Sequence, residues 1–187
     1  MDAIGLRPAT PDDFEFFFEL HRQTLGPYVD RVWGWIDEDQ RAYLQRTIDI
    51  DTTRVVVVDG ADAGRLNIDH RDGDVYIGLI EIAPRHQGCG IGGSLIRRVL
   101  DAAFAEGKGV RLHVLAVNEG AGRLYRRLGF REVGREGKAP EVRIQMRAHP
   151  RSSAIRAVPT TSAGSPPQAE NPGHWPGSST HCGRRGT

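Results

Sequence analysis

A run of glycines between a predicted strand and a predicted helix constrains this chain more than any other feature. The segment from Pro84 to Ser94 reads Pro-Arg-His-Gln-Gly-Cys-Gly-Ile-Gly-Gly-Ser, with four glycines within residues 88–93. Glycine loses the most conformational entropy on folding, so such a run beside a helix start is costly. Its physical use is to bring backbone N–H groups close to an anion at a helix N-terminus. The run therefore predicts a pyrophosphate site, with a flexible turn as the alternative.

The elements around this run predict a mixed α/β sheet. Short apolar or β-branched stretches predict strands at residues 4–7, 54–58, 63–69, 74–82, 110–117, 130–134 and 141–147. Apolar positions at helical spacing predict helices at 10–26, 37–48, 91–106 and 119–128. The predicted order is therefore β-α-α-β-β-β-α-β-α-β-β.

Composition divides the chain near Pro150. Residues 151–187 are dominated by Ser, Pro, Gly, Thr and Ala, and only Ile155 and Val158 are aliphatic. Such a stretch cannot bury enough apolar surface to offset its ordering entropy. We therefore predict one folded domain at 1–149 and a disordered tail at 150–187.

Charge and cysteine content exclude several classes of protein. Lys and Arg number 25 against 24 Asp and Glu, for a net charge of +1, whereas a nucleic-acid binder needs a basic surface. No apolar run approaches the ~18 residues that span a membrane. The first residues lack a basic region followed by an apolar stretch, so we expect no secretory signal there. Two cysteines, Cys89 and Cys182, match neither a disulfide framework nor zinc spacing. We expect a cytoplasmic protein with no metal, no nucleic acid and no membrane partner.

The glycines also match a dinucleotide-binding fingerprint, Gly88-x-Gly90-x-x-Gly93. In that fingerprint the first glycine follows the strand almost at once, whereas residues 83–87 intervene here. Glu119, just past the next strand, could mimic the ribose-binding acid. An NAD(P)-dependent oxidoreductase therefore stays open as an alternative at this point.

Two motifs resemble the signatures of the GNAT superfamily of N-acetyltransferases. The first is Gln-Gly-Cys-Gly-Ile-Gly at 87–92, similar to Arg/Gln-x-x-Gly-x-Gly/Ala, preceded by Ile-Glu-Ile-Ala-Pro at 80–84. The second, at 118–130, resembles Asn-x-x-Ala-x-x-Leu-Tyr-x-x-x-Gly-Phe. The resemblance covers about residues 4–147. It implies the GNAT α/β fold with splayed central strands, and acetyl transfer from acetyl-coenzyme A (acetyl-CoA) to a primary amine without a metal.

The resemblance also implies which residues contact the cosubstrate. Backbone amides of the glycine run would hold the pyrophosphate, and the main chain of the preceding strand would pair with the pantetheine arm. Asn118 would hydrogen-bond the arm, with a turn residue as the alternative reading. The implied binding residues are Ile80, Ile82, Gln87, Gly88, Cys89, Gly90, Ile91, Gly92, Gly93, Asn118 and Tyr125.

Tyr125 is the best candidate for the catalytic acid. The reference pKa values of thiol and phenol are about 8.5 and 10, so a tyrosine can donate a proton to the departing thiolate. A core tyrosine is the alternative.

Three residues are candidates for the general base. Glu81 lies in an otherwise apolar strand, where burying an acid costs free energy unless it has a partner. His113 in the next strand titrates near neutrality, and Asp74 is a third option.

The acceptor side is expected between the first two helices, where the family usually builds it. Tyr28, Trp33 and Trp35 lie there with several acids, a combination that suits a cationic amine, although a packed loop is the plainer reading. A small-molecule amine is the first choice of acceptor, and a protein N-terminus or lysine is the second. A non-catalytic CoA-binding module of the same fold and a possible homodimer also stay open.

Overall fold

Seven strands and five helices form the domain in the computed structural model, which describes residues 3–139 and 141–150. The elements in chain order are β1 (Ile4–Pro8), α1 (Phe14–Thr24), α2 (Gly26–Trp33), α3 (Asp37–Thr47), β2 (Thr53–Val58), β3 (Ala61–His70), β4 (Asp74–Ile82), α4 (Ile91–Ala105), β5 (Gly109–Leu115), α5 (Glu119–Arg127), β6 (Arg131–Glu136) and β7 (Arg143–Ala148). Short 3₁₀ turns at Pro11–Asp13 and Pro84–His86 precede α1 and α4. The predicted tail lies outside the described residues except for Pro150.

The strands form one sheet in the order β1-β2-β3-β4-β5-β7-β6. Neighbouring strands run antiparallel except for β4 and β5, which are parallel because α4 carries the chain back between them. The expected mixed α/β class and the seven predicted strands are therefore confirmed.

The sheet separates two cores. Alternating side chains of the central strands, including Leu66, Ile77, Leu112 and Met146, pack with the apolar stripe of α4 on one face. On the other face, α1 packs against β3 and β4, and Phe17 joins Val55 in a second, smaller cluster. Helices α1 to α3 therefore belong to the face opposite α4.

The expected order was wrong at one point, because three helices and not two follow β1. The sequence predicts a helix at 10–26, since glycine and proline at 26–27 can stop a helix, and α1 does end at Thr24. The same two residues then open α2, since the first turn of a helix does not need the N–H that proline lacks. Most of the predicted acceptor loop is therefore helical. No described helix is long and apolar enough to cross a membrane.

Candidate active site

Strands β4 and β5 pair only over their first halves. The parallel ladder joins residues 74–77 to residues 109–112 and stops there. Beyond that point β4 remains bonded to β3, and β5 remains bonded to β7. The pairing of β3 with β4 is interrupted by a bulge, because Asn67 pairs with Leu79 and Ile68 pairs with Ile77, which leaves Gly78 without a partner residue. A Cβ at position 78 would clash with the Asn67 side chain, so glycine fits this position. This bulge lies where the strands begin to part, so Ile80 and Ile82 border a gap in the sheet.

The glycine run forms the loop that enters α4, next to this gap. Gly88 and Gly90 have φ values of 78° and 80°, a region that other residues rarely adopt, and Gly90 is the N-cap of α4. Among the described residues, no hydrogen bond occupies the backbone N–H groups of residues 88–93. These amides are therefore available to an anion at the helix N-terminus, the place where the sequence predicts a pyrophosphate site.

Side chains of the same segment hold the loop and the helix in place. The Gln87 amide donates a 2.8 Å hydrogen bond to the Ile82 carbonyl, and the exposed Cys89 thiol lies 3.6 Å from the Gln87 carbonyl. A Cβ at Gly92 would touch Ile80 and Ile82, and one at Gly93 would touch Leu124 of α5. These are ordinary van der Waals contacts, so the first turn of α4 packs directly against β4 and α5, and the preceding Ile91 is buried in the core.

Tyr125 lies on the inner face of α5, 8% exposed, with its ring edge-on to Phe130 at 5.9 Å between centroids. Burial raises the pKa of the Tyr125 phenol to about 12. No hydrogen bond engages its hydroxyl within the described residues. A phenol in this state remains protonated over the working pH range and retains a donor for an incoming group.

Asn118 caps α5 at the far end of β5. Its Oδ1 accepts a 3.2 Å hydrogen bond from the Ala121 N–H, which matches the alternative reading of a helix-starting turn. The residue also lines a cavity of about 310 Å³ beside α5, together with Gly122 and Arg126. Its side-chain N–H₂ is the group left to contact a ligand.

Glu81 is 2% exposed and lies on the α1 side of β4. Its carboxylate accepts hydrogen bonds from Arg65 (2.5 Å) and Thr24 (2.9 Å), and His21 Nδ1 lies 2.9 Å from it. Burial alone would raise the pKa of Glu81, but the charge of Arg65 and the contact with His21 outweigh it and lower the pKa to about 2. A carboxylate held this way stays ionised and is a poor proton acceptor at neutral pH.

Of the predicted acceptor aromatics, Trp35 packs against this buried group. His21 packs between Trp35 (5.8 Å between centroids) and Tyr43 (6.4 Å, stacked). The Trp35 indole N–H donates a 2.6 Å hydrogen bond to Asp37, and Tyr28 and Trp33 are half-buried on α2. Trp35 therefore has a packing role whatever else it does.

His113 is the first residue of β5 beyond the ladder with β4, and it is exposed on the α1 side of the sheet. Its Nδ1 lies 3.0 Å from the Tyr76 hydroxyl. Partial burial lowers the pKa of His113 below its ordinary value, and the nearby charge of Arg143 adds to this effect. The imidazole is therefore neutral at physiological pH and positioned next to the gap.

Asp74, the third candidate base, lies at the opposite end of β4. Its carboxylate is shared by Arg111 (3.0 Å) and Arg147 (2.8 Å), which pins the start of the β4–β5 ladder to β7. Asp74 is the first residue of the β4–β5 ladder, whereas the gap opens after the last paired residue, Ile77, and the Asp74 carboxylate is engaged by two arginines away from the gap.

Sequence reasoning missed four residues of this region: His21, Arg65, Tyr76 and Arg143. His21 lies 60 residues from Glu81 in sequence and sits on the apolar face of α1, so no local spacing indicates the pair. The one available signal was Glu81 itself, because a buried acid requires partners. No group of three or more potential metal-ligating side chains exists among the described residues.

Comparisons with known proteins match the chain to a family and to a fold. Residues 14–130 match the model of the acetyltransferase (GNAT) family. The chain is 30% identical over 142 residues to a spermidine N(1)-acetyltransferase of Vibrio cholerae, covering 70% of this chain and 80% of that protein.

Solved structures share the fold at low identity. The ribosomal-protein-S18-alanine N-acetyltransferase of Escherichia coli is 16% identical with a TM-score of 0.58, covering 83% of this chain and all of that one. The PaiA N-acetyltransferase of Thermoplasma acidophilum, solved in complex with coenzyme A, is 17% identical with a TM-score of 0.58, covering 79% of this chain and 99% of that one. At these identities the likeness extends to the fold alone.

Proposed function

Because the chain belongs to the GNAT family of acetyltransferases, we propose that it moves an acetyl group from acetyl-CoA directly to the primary amine of a small molecule. Two observations carry the proposal together: a gap opens between β4 and β5, and the N–H groups of the glycine loop at the start of α4 have no hydrogen-bond partner among the described residues. The match to the acetyltransferase family also removes the NAD(P)-dependent oxidoreductase alternative, because it accounts for the same glycines.

The residues present fit acetyl-CoA. The amides of residues 88–93 are suited to its pyrophosphate, and the edge of β4 at Ile80 and Ile82 is suited to an extended arm laid along it like an added strand. When bound, acetyl-CoA supplies a thioester that an amine can attack. A backbone N–H of β4 beside the gap would polarise the thioester carbonyl, as oxyanion-hole donors do.

Tyr125 is proposed as the acid. Its phenol is protonated because burial raises its pKa to about 12, and α5 holds it beside α4 in the same core. The donor would hydrogen-bond and then protonate the leaving sulfur. A thiolate with a reference pKa of about 8.5 leaves more readily with such a donor in place.

His113 is proposed as the base in preference to Glu81. The His113 imidazole is neutral at pH 7 and lies on the acceptor face at the start of the gap. In the tautomer where Nδ1–H donates to the Tyr76 oxygen, Nε2 is available to take a proton from the amine. Glu81 has a pKa of about 2 and three partners, so we assign it to positioning α1 against the sheet.

The small-molecule acceptor is favoured by the helices that cover the acceptor side. Most of the segment between α1 and α3 is helical, because α2 spans Gly26–Trp33. Trp35, which follows α2, packs against Phe18 and His21 of α1. A protein N-terminus or lysine needs an open groove at this place. The similarity to a spermidine acetyltransferase supports a small amine as the acceptor class.

The test is calorimetric titration of the full chain with acetyl-CoA and, separately, with NAD(P)H, followed by thiol-release assays with amines and with peptides. Binding of acetyl-CoA with turnover of small amines is the expected result. Turnover of peptides alone would replace the acceptor assignment. Binding of acetyl-CoA with no turnover of any amine would favour a non-catalytic CoA-binding module.

A further inference from the structure

The guanidinium of Arg97 lies over the first turn of α4, next to the glycine loop. Arg97 follows Gly93 by four residues, and helical side chains slant towards the N-terminus of their helix. A Cβ at Gly93 would lie 3.7 Å from Arg97 Nη2 and 3.6 Å from Leu124 of α5. The Arg97 side chain therefore reaches back one turn, to the place where the start of α4 meets α5.

Arg97 is exposed and has no acidic partner among the described residues. Asp101, one turn further along α4, has the i,i+4 spacing of a helical ion pair, but in this part of the chain no ion pair joins the two. A cation near the N-terminus of a helix is unfavourable, because the helix dipole has its positive end there. The guanidinium thus lies at the positive end of α4 without a counter-ion from the protein, an arrangement that a bound anion would stabilise.

Two other arginines near the loop already have partners. Arg85 lies in the turn that precedes the loop, and its guanidinium donates a 3.0 Å hydrogen bond to the Asp62 carbonyl. Arg123 on α5 pairs with Glu119 at 3.3 Å. Arg97 differs from both, because its charge is available to a ligand.

Acetyl-CoA carries phosphate groups in two places. Its pyrophosphate joins the pantetheine arm to the ribose, and a separate 3′-phosphate is attached to the same ribose. The proposed function assigns the arm to the β4 edge at Ile80 and Ile82, and the pyrophosphate to the N–H groups of residues 88–93. The 3′-phosphate is then one sugar ring beyond the pyrophosphate, further along the molecule from the gap, and its partner must come from outside the loop amides.

We propose that Arg97 binds the 3′-phosphate of acetyl-CoA and makes the enzyme selective for acetyl-CoA over its 3′-dephospho form. A phosphate monoester carries a charge of about −1.5 to −2 at pH 7, and the paired N–H donors of a guanidinium match its oxygens. Arg97 lies within one helical turn of the loop amides, as a group on the same ribose requires. The inference rests on the proposed acetyltransferase function and adds cosubstrate selectivity to it.

The experiment measures Kd values by calorimetric titration of the full chain with acetyl-CoA and with 3′-dephospho-acetyl-CoA. The two ligands share the thioester, the arm and the pyrophosphate, so their difference isolates the 3′-phosphate. We expect acetyl-CoA to bind about tenfold more tightly, as for a hydrogen bond between charged groups. The ratio should shrink as salt is added, because Arg97 is exposed.

Variants of α4 test the assignment to Arg97. Arg97→Gln should raise the Kd for acetyl-CoA about tenfold and leave the Kd for the 3′-dephospho form unchanged, and Arg97→Lys should retain part of the selectivity. Arg98→Gln is the matched control, because Arg98 is also exposed on α4 and has no acidic partner in the described ranges, but successive helical residues project roughly 100° apart. It should leave both Kd values unchanged.

Several results would overturn the inference and spare the proposed function. Equal Kd values for the two ligands in the wild type would mean that the 3′-phosphate is not recognised. Selectivity that survives in Arg97→Gln would place the 3′-phosphate elsewhere, and an equal rise of both Kd values in that variant would assign Arg97 to the pyrophosphate. A matching loss in Arg98→Gln would reduce the effect to general surface charge. Failure of both ligands to bind the wild type would overturn the proposed function together with the inference.

Discussion

The Nδ1 atom of His113 lies 3.0 Å from the Tyr76 hydroxyl, and the two rings meet edge to face at 5.7 Å between centroids. The pair joins Tyr76, one residue before the end of the β4–β5 ladder, to His113, the first residue of β5 beyond it. Tyr76 itself lies under Arg71, whose guanidinium is 4.9 Å from the centre of the ring. The contact orients the imidazole, so that the ring nitrogen not facing Tyr76 is the one left for chemistry.

Replacing His113 with Gln should lower kcat about 100-fold at neutral pH, because a positioned general base contributes at least that factor. The wild-type rate should rise with pH through a limb below 6.5, since partial burial lowers the pKa of His113 from that ordinary value and the neutral form is the active one. The limb should be absent in the variant. Steady-state rates between pH 5 and 9 measure both effects.

Tyr76→Phe is the companion variant. It removes the oxygen that holds Nδ1 but leaves the imidazole in place, so kcat should fall by a smaller factor and the acidic limb should persist. If His113→Gln keeps the wild-type pH profile, His113 does not act as the base.

Replacing Tyr125 with Phe should lower kcat about tenfold or more while the Kd for acetyl-CoA stays the same. Phenylalanine fills the same volume and keeps the edge contact with Phe130, so the fold should be unaffected. Because burial raises the pKa of Tyr125 to about 12, the wild-type enzyme should show no descending limb from this group below about pH 10. Full activity in the variant would remove Tyr125 from the mechanism.

Local signals predicted the elements that build the gap. The bounds of β4 and the start of α4 at Ile91 agree with the sequence-based prediction, because an alternating apolar strand, a glycine run and a helical apolar stripe follow one another there. Helix α2 was missed, because Gly26-Pro27 can end one helix or open the next, and neighbouring residues alone do not distinguish the two.

Long-range partners limited the prediction of the site. Glu81 stood out as an acid in an apolar strand, but His21 and Thr24 come from a helix nearly 60 residues earlier, and only the packing of α1 on β4 joins them. The same holds for Arg143, which approaches His113 through the pairing of β5 with β7. Sequence thus indicated that Glu81 needs partners without indicating which.

Replacing Glu81 with Gln should destabilise the domain by about 3–5 kcal/mol, because it leaves the buried charge of Arg65 uncompensated. The carboxyl has a pKa lowered from 4.5 to about 2, so its stabilising effect is complete above pH 4.5 and is lost as the pH falls towards 2. Denaturant unfolding at pH 7 and at pH 3 should show a smaller difference between variant and wild type at pH 3.

The matched control is Glu132→Gln, which breaks a surface pair with Arg135 and should leave stability unchanged. Since Glu81 stays ionised through the assay range, its loss should not move the pH–rate limb. A limb that disappears in Glu81→Gln but not in His113→Gln would make Glu81 the base and reverse the assignment.

Replacing Gly90 with Ala should weaken acetyl-CoA binding about tenfold. Position 90 has φ +80°, a conformation that penalises a side chain by about 1–2 kcal/mol, so the loop would shift its amides away from the anion to relieve it. A change of 1.4 kcal/mol corresponds to a factor of ten in Kd.

Gly60→Ala is the control, because Gly60 has φ +82° and equally open surroundings but lies in the β2–β3 turn. Both variants should lose similar stability in denaturant unfolding, and calorimetry should find a higher Kd for Gly90→Ala alone. Equal Kd values in the two variants would mean that the loop amides do not hold the pyrophosphate.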